Sequence, residues 1–169
     1  MMFYKSKLLL GCILSITLFG CNKTGPGTNI SNEVRITVLN QDGEDLLDPD
    51  NPSAIDLDQV KVYYELNGVK TEINRGNLTY PKMFRIEEPG YNTDKYRVLL
   101  FMNIEDDSEI TTTYFKWNSE RTDVFKSLVE RPKGSNGSVY GKKTWFNDEV
   151  ICDGSVDTSQ CEVTITFNN

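Results

Sequence analysis

The sequence predicts an all-β fold. From residue 33 onward apolar and polar residues alternate with period two in segment after segment, the pattern of strands with one buried face. Pairs and clusters that favour tight turns separate these segments, among them Asn67-Gly68, Pro89-Gly90 and Asn147-Asp148. No stretch beyond the N-terminal segment carries a convincing helical period longer than two turns. About eight short strands at this spacing suggest a single antiparallel β-sandwich of immunoglobulin-like type, with a β-barrel as the alternative.

Val34, Ile36 and Val38 alternate with Arg35 and Thr37, which marks a first strand beginning at Glu33. Residues 42–58 are acidic and carry Pro49 and Pro52, and read as a solvated connection stiffened by proline. A calcium loop is the rival there, but Asp48-Pro49-Asp50-Asn51-Pro52 puts proline at the fifth position and lacks the glycine required at the sixth. Val60, Val62, Tyr64 and Leu66 alternate with Lys61, Tyr63 and Glu65. Asn67-Gly68 then supplies the positive φ angles of a two-residue hairpin, and residues 69–73 return.

Residues 83–87 form a short strand between Pro81 and Glu88-Pro89-Gly90. Tyr96, Val98, Leu100, Met102 and Ile104 make the longest apolar stripe, and Leu99 and Phe101 make the opposite face apolar too, as in a central strand. Residues 110–117, rich in threonine and aromatics, are expected to pair with it across the acidic turn Glu105-Asp106-Asp107-Ser108-Glu109. Residues 122–130 fit either a strand or a helix face, and the β context favours the strand. A Gly-, Ser- and Pro-rich loop covers 131–141, a hairpin about Asn147-Asp148 joins 143–146 to 149–152, and Cys161, Val163, Ile165 and Phe167 line a closing strand.

The first twenty-one residues carry an address. Lys5 and Lys7 precede an almost wholly apolar run from Leu8 to Phe19, followed by Gly20 and Cys21, the order of an exported signal segment. That run is too short to span a bilayer as a helix, which takes roughly twenty residues. Leu18-Phe19-Gly20-Cys21 resembles the lipobox of bacterial lipoproteins, and the resemblance implies that acyl chains such as palmitate are attached at Cys21 and residues 1–20 removed. The expected organisation is then a signal at 1–20, a lipidated cysteine with a flexible tether at 21–32, and one domain at 33–169. The eleven polar tether residues from Asn22 have an end-to-end span of about 18 Å.

Removing the first 20 of 169 residues leaves 149, enough for one domain with a real core. Lys5 and Lys7 leave with them, so 18 basic against 25 acidic side chains becomes 16 against 25, a net −9. That balance argues against a nucleic-acid partner and against charge-driven binding to anionic lipid, leaving the Cys21 lipid as the membrane link. Asn22 rather than aspartate after the cysteine favours the outer membrane by analogy with other lipoproteins, with the periplasmic or surface face left open.

Of the four cysteines, Cys12 leaves with the signal and Cys21 takes lipid, so Cys152 and Cys161 are expected to form a disulfide in an oxidising compartment. The chain has no histidine, which excludes His-based triads and His metal ligands, and no cysteine remains for a thiolate site. No cofactor, metal or catalytic constellation is expected.

Asp42-Gly43-Glu44-Asp45-Leu46-Leu47-Asp48-Pro49-Asp50-Asn51-Pro52, then Val60-Lys61-Val62-Tyr63-Tyr64-Glu65-Leu66-Asn67-Gly68 and Trp145-Phe146-Asn147-Asp148, resemble uncharacterised β-sandwich lipoproteins of Bacteroidota-type cell envelopes. The resemblance implies architecture and location, and no catalytic residues.

Among aromatics, Trp117 shares a strand face with Phe115 and Thr113 and is expected in the core. Trp145, with Tyr140 in the neighbouring loop, is the candidate ligand-binding pair, since an aromatic face can stack on a sugar ring. The expected function is a lipid-anchored, non-enzymatic module binding a glycan or an envelope protein. A purely structural lipoprotein is the alternative, and a carboxylate-dependent glycan hydrolase a weaker one because no acid pair stands out by spacing.

Overall fold

The structure is a computed structural model and describes residues 28–90, 93–134, 136–154 and 161–168. The expected signal, Cys21 and the tether up to residue 27 lie outside the described residues. Among the described residues the chain is all-β, with no helix, and its strands form two sheets.

The first described strand is the two-residue β1 (Ile30–Ser31), and the chain passes through Asn32 into β2 (Glu33–Asn40) in the other sheet. The expected tether, 21–32, therefore overlaps the fold at its end: Ile30 and Ser31 pair in parallel with a later strand, and Asn32 is buried. A hairpin follows as expected, β3 (Lys61–Leu66) and β4 (Val69–Ile73), with Asn67 and Gly68 both at positive φ. Next come β5 (Phe84–Glu87) and β6 (Arg97–Phe101), then β7 (Ile110–Lys116) and β8 (Thr122–Glu130). A last hairpin, β9 (Val139–Phe146) and β10 (Glu149–Asp153), turns at Asn147 and Asp148, again at positive φ, and β11 (Glu162–Phe167) closes the chain.

The larger sheet runs β1-β9-β8-β7-β3-β4, with β10 also on β9, and the smaller runs β11-β2-β6-β5; the expected wholly antiparallel arrangement is wrong at two places, since β11 lies parallel to β2 and β1 parallel to β9. Alternation decides what goes inside. Val34, Ile36 and Val38 of β2 face Val62 and Tyr64 of β3, Phe115 of β7 and Phe125 of β8 across one shared core. Trp117 is 1% exposed and packs against Phe115 and Phe167 at ring-centroid distances of 4.3 and 5.7 Å. Tyr64 is buried, so desolvation, with the Glu105 charge adding to it, pushes its hydroxyl above the usual tyrosine range, and the neutral O–H donates to the Phe101 carbonyl at 2.9 Å.

β6 occupies an interior position, as its two apolar faces suggest, but its expected pairing with β7 is wrong. It pairs with β2 and β5 in the smaller sheet, while β7 lies in the larger sheet between β3 and β8. The acidic turn is a crossover between sheets, and Asn103 makes it possible. Its amide nitrogen donates to the carbonyls of Glu65 (2.8 Å) and Thr112 (3.3 Å), and its amide oxygen accepts from the backbone N–H of Glu105 (3.0 Å) and Asp106 (3.3 Å). These groups would otherwise be orphaned as the chain leaves one sheet for the other.

Asp106 then accepts from the backbone N–H of Asn67 at 2.6 Å, and Arg131 donates to the carbonyls of Ile104, Asp106 and Ser108. Hydrogen bonds from Ser108 and Asn67 hold the Asp106 carboxyl below its ordinary range. Being depressed in the folded state, it stabilises the fold above its unfolded pKa, and that contribution fades as the pH falls through the folded value.

The expected disulfide is present. Cys152 on β10 and Cys161 at the start of β11 are bonded, with Cα atoms 5.6 Å apart, tying the larger sheet to the smaller. In the chain-entropy model a closed loop of about ten residues contributes about 2.7 kcal/mol. The loop sequence expected over 131–141 gives way to β9 at Val139. Gly141 sits in that strand because a Cβ there would lie 2.6 Å from the Asn32 side-chain oxygen.

Candidate functional site

Side chains that point away from the core on the larger sheet form the best-defined exposed surface. Trp145 is flanked in register by Lys126 of β8 and Val150 of β10, while its chain neighbours Thr144 and Phe146 turn inward beside Ser127 and Phe125. The indole is half-buried, the Lys143 ammonium lies 5.3 Å from its ring centroid, and Val150 beside it is 51% exposed. Lys126 pairs with Asp148 at 2.6 Å, which fixes a cation and a carboxylate at the rim.

Tyr140 lies on the same strand but not beside Trp145. It faces Glu130 on β8 and Ser31 on β1, about 15 Å along β9 at the usual strand rise. An irregularity in the β8–β9 register lets this happen: Leu128 faces Lys143 whereas Val129 faces Gly141, so Lys142 is an extra residue in β9. With one residue extra, Tyr140, Lys143 and Trp145 share a face. The expected pair is thus placed on one surface, with Lys143 between its members, and does not make one continuous aromatic platform.

A second aromatic group on that surface was not singled out from the sequence. Tyr63 of β3 and Tyr114 of β7 face each other across the strands, and the Lys70 ammonium sits 4.8 Å from one ring centroid and 4.2 Å from the other. The Tyr114 hydroxyl donates to the Glu65 carboxylate at 2.7 Å, and that bond raises its pKa, with partial burial adding to it. Alternation had assigned Tyr64 to the core, so Tyr63 had to face outward, and that was the available signal.

The acidic connection lines a cleft of about 360 Å³ that includes Glu44, Asp48, Asp50 and Asp94. Three carboxylates of the acidic connection serve the local backbone. Asp48 accepts from the N–H of Asp50, Asp56 from that of Asp58, and the buried Asp45 accepts from Leu47 and from Tyr96. Partial desolvation and the charges of Asp48, Glu88 and Asp50 raise the Tyr96 pKa. Among the described residues no group of three or more Asp, Glu or Cys is arranged to hold a metal ion.

On the smaller sheet Glu87 is surrounded by Arg35, Arg85 and Arg97 at 2.9, 2.8 and 3.3 Å, and Arg97 also reaches Glu162. These arginines cover Leu99, which is buried on the outward side of β6. Comparison with protein-family models, with curated proteins and with solved structures finds no match.

Proposed function

We propose that this chain is a lipid-anchored protein of the cell envelope, held through Cys21 in the outer membrane. Its domain is an immunoglobulin-like β-sandwich that works as a non-enzymatic binding module, with a glycan as the ligand. The observation that carries the ligand reading is Trp145, a half-exposed indole on a strand, with the Lys143 ammonium 5.3 Å from its ring centroid and Lys126, paired with Asp148, beside it in register. Apolar sugar faces stack on such a ring while hydroxyls take the charged rim. Tyr140, further along β9, supports an extended ligand rather than a single sugar.

Two experiments test this. The anchor predicts that Cys21→Ala abolishes lipid labelling and leaves the chain unprocessed or released from the membrane fraction. An unchanged lipid-labelled product would reject the anchor. The ligand reading predicts that the chain from Asn22 onward is retained on at least one envelope polysaccharide in affinity electrophoresis. Trp145→Ala should weaken that retention about tenfold, the order expected for one stacked aromatic ring, with thermal unfolding unchanged. Retention by no polysaccharide would leave a structural role standing, and turnover of the glycan would make the protein an enzyme.

A further inference from the structure

We infer that the open edge of β4 is a self-association site at which a second copy of this chain adds its own β4, antiparallel, about a two-fold axis through Thr71. β4 is the outermost strand of the larger sheet on the side away from β1. Four of its five residues are exposed, whereas the edge strand β5 of the smaller sheet is half-buried throughout. β1 lies at the opposite end of the sheet order from β4.

The hairpin register says which backbone groups are on offer. In a two-residue hairpin the residues flanking the turn, Leu66 and Val69, form a hydrogen-bonded pair, and so do Tyr64 with Thr71 and Val62 with Ile73. The N–H and C=O of Lys70 and Glu72 therefore point outward. Among the described residues no hydrogen bond from another segment reaches them.

An antiparallel copy centred on Thr71 places Lys70 opposite the partner's Glu72 and Glu72 opposite the partner's Lys70. Both are then hydrogen-bonded pairs that use the outward backbone groups, and both match opposite charges. Thr71 meets the partner's Thr71, and Val69, 63% exposed, meets the partner's Ile73. A shift of the axis by one residue, to Lys70 or to Glu72, still presents the outward backbone groups but sets Lys70 opposite the partner's Lys70 or Glu72 opposite the partner's Glu72, so charge selects the register centred on Thr71. Lys61, which pairs with Glu72 at 3.1 Å within the chain, is itself exposed, so that bond does not withhold the carboxylate from a partner.

Cysteine crosslinking of the full-length protein tests the register. At a non-hydrogen-bonded site the two Thr71 Cα atoms would be about 4.5 Å apart, within disulfide range, whereas the two Val69 Cα atoms would be about 14 Å apart. Thr71→Cys is expected to give a dimer band on a non-reducing gel after mild oxidation with copper–phenanthroline, and Val69→Cys is not. Adding Lys70→Glu to Thr71→Cys should abolish the band by setting like charges opposite each other. Adding Lys70→Glu and Glu72→Lys together should restore it, a rescue that a merely misfolded variant would not show. Absence of the Thr71→Cys dimer, equal dimer from Val69→Cys, or no response to the charge changes would overturn the inference. None of these results depends on glycan binding or on the lipid anchor.

Discussion

Asn103→Ala is expected to destabilise the protein by about 3–5 kcal/mol, measured as a loss of unfolding free energy in urea with an unchanged denaturant slope. The side chain is fully buried and serves four backbone groups at once, two carbonyls and two N–H groups. Alanine removes all four partners, and each buried orphan costs about 1–3 kcal/mol, less than additively once the turn relaxes. Asn103→Asp should recover little of the loss, since it keeps both acceptor functions but no amide donor and adds a charge close to Asp106. A loss below about 1 kcal/mol would mean that water replaces the amide and that the crossover is held by Arg131 and Asp106 instead.

Trp117→Ala should be comparably severe, about 3–5 kcal/mol, the range for emptying a large aromatic site. The ring touches Phe115 and Phe167, and its N–H donates to Asp123 at 2.8 Å. Asp123 is buried and also takes bonds from Arg121 and Asn147, so one carboxylate joins the β7–β8 connection to the β9–β10 turn. Trp117→Phe separates the two roles: it keeps most of the ring contact and removes the N–H, leaving Asp123 with its other partners. It should therefore cost about 1–2 kcal/mol, and equal losses in the two variants would assign the whole effect to the hydrogen bond.

Several strands were legible because they alternate between one buried and one more exposed face. Val34, Ile36 and Val38 announce β2, and Asn67-Gly68 fixes a hairpin since few other residue pairs accept two positive φ angles in succession. Residues 122–130, ambiguous by period, are β8, and their inward positions are Asp123, Phe125, Ser127 and Val129. Polar groups at two of these four positions hid the strand's alternation.

Sheet membership was not legible, because alternation says that a strand has an inside but not which sheet it joins. Asn103 held the missing information, a lone amide between Met102 and Ile104 in an apolar stripe. A side chain of that kind in such a place serves backbone that has lost its ladder partners. β1 escaped notice because two residues carry no period. At the candidate site, Trp145 and Tyr140 were readable as residue types, but their separation depends on the extra residue in β9, and a bulge of that kind leaves no mark in hydropathy.

The passage from β1 to β2 through Asn32 would have a mechanical consequence if the chain is held by its N-terminus as proposed. Tension drawn along the chain reaches β1 first, which lies parallel to β9 with Ile30 beside Val139 and Ser31 beside Tyr140. It is backed by the bonds of Asn29 to Ser138 and Val139 and of Thr28 to Asn136. A pull along the strand loads these bonds together in shear instead of opening them one at a time. Should that latch slip, the load passes through Asn32, whose side-chain oxygen accepts from Ser127 at 2.7 Å and whose carbonyl accepts from Met102. It then arrives at β2, an interior strand gripped by β11 on one side and β6 on the other. A tether fastened at this end would thus strain a small, re-formable clasp before it could draw on the strand around which the smaller sheet is built.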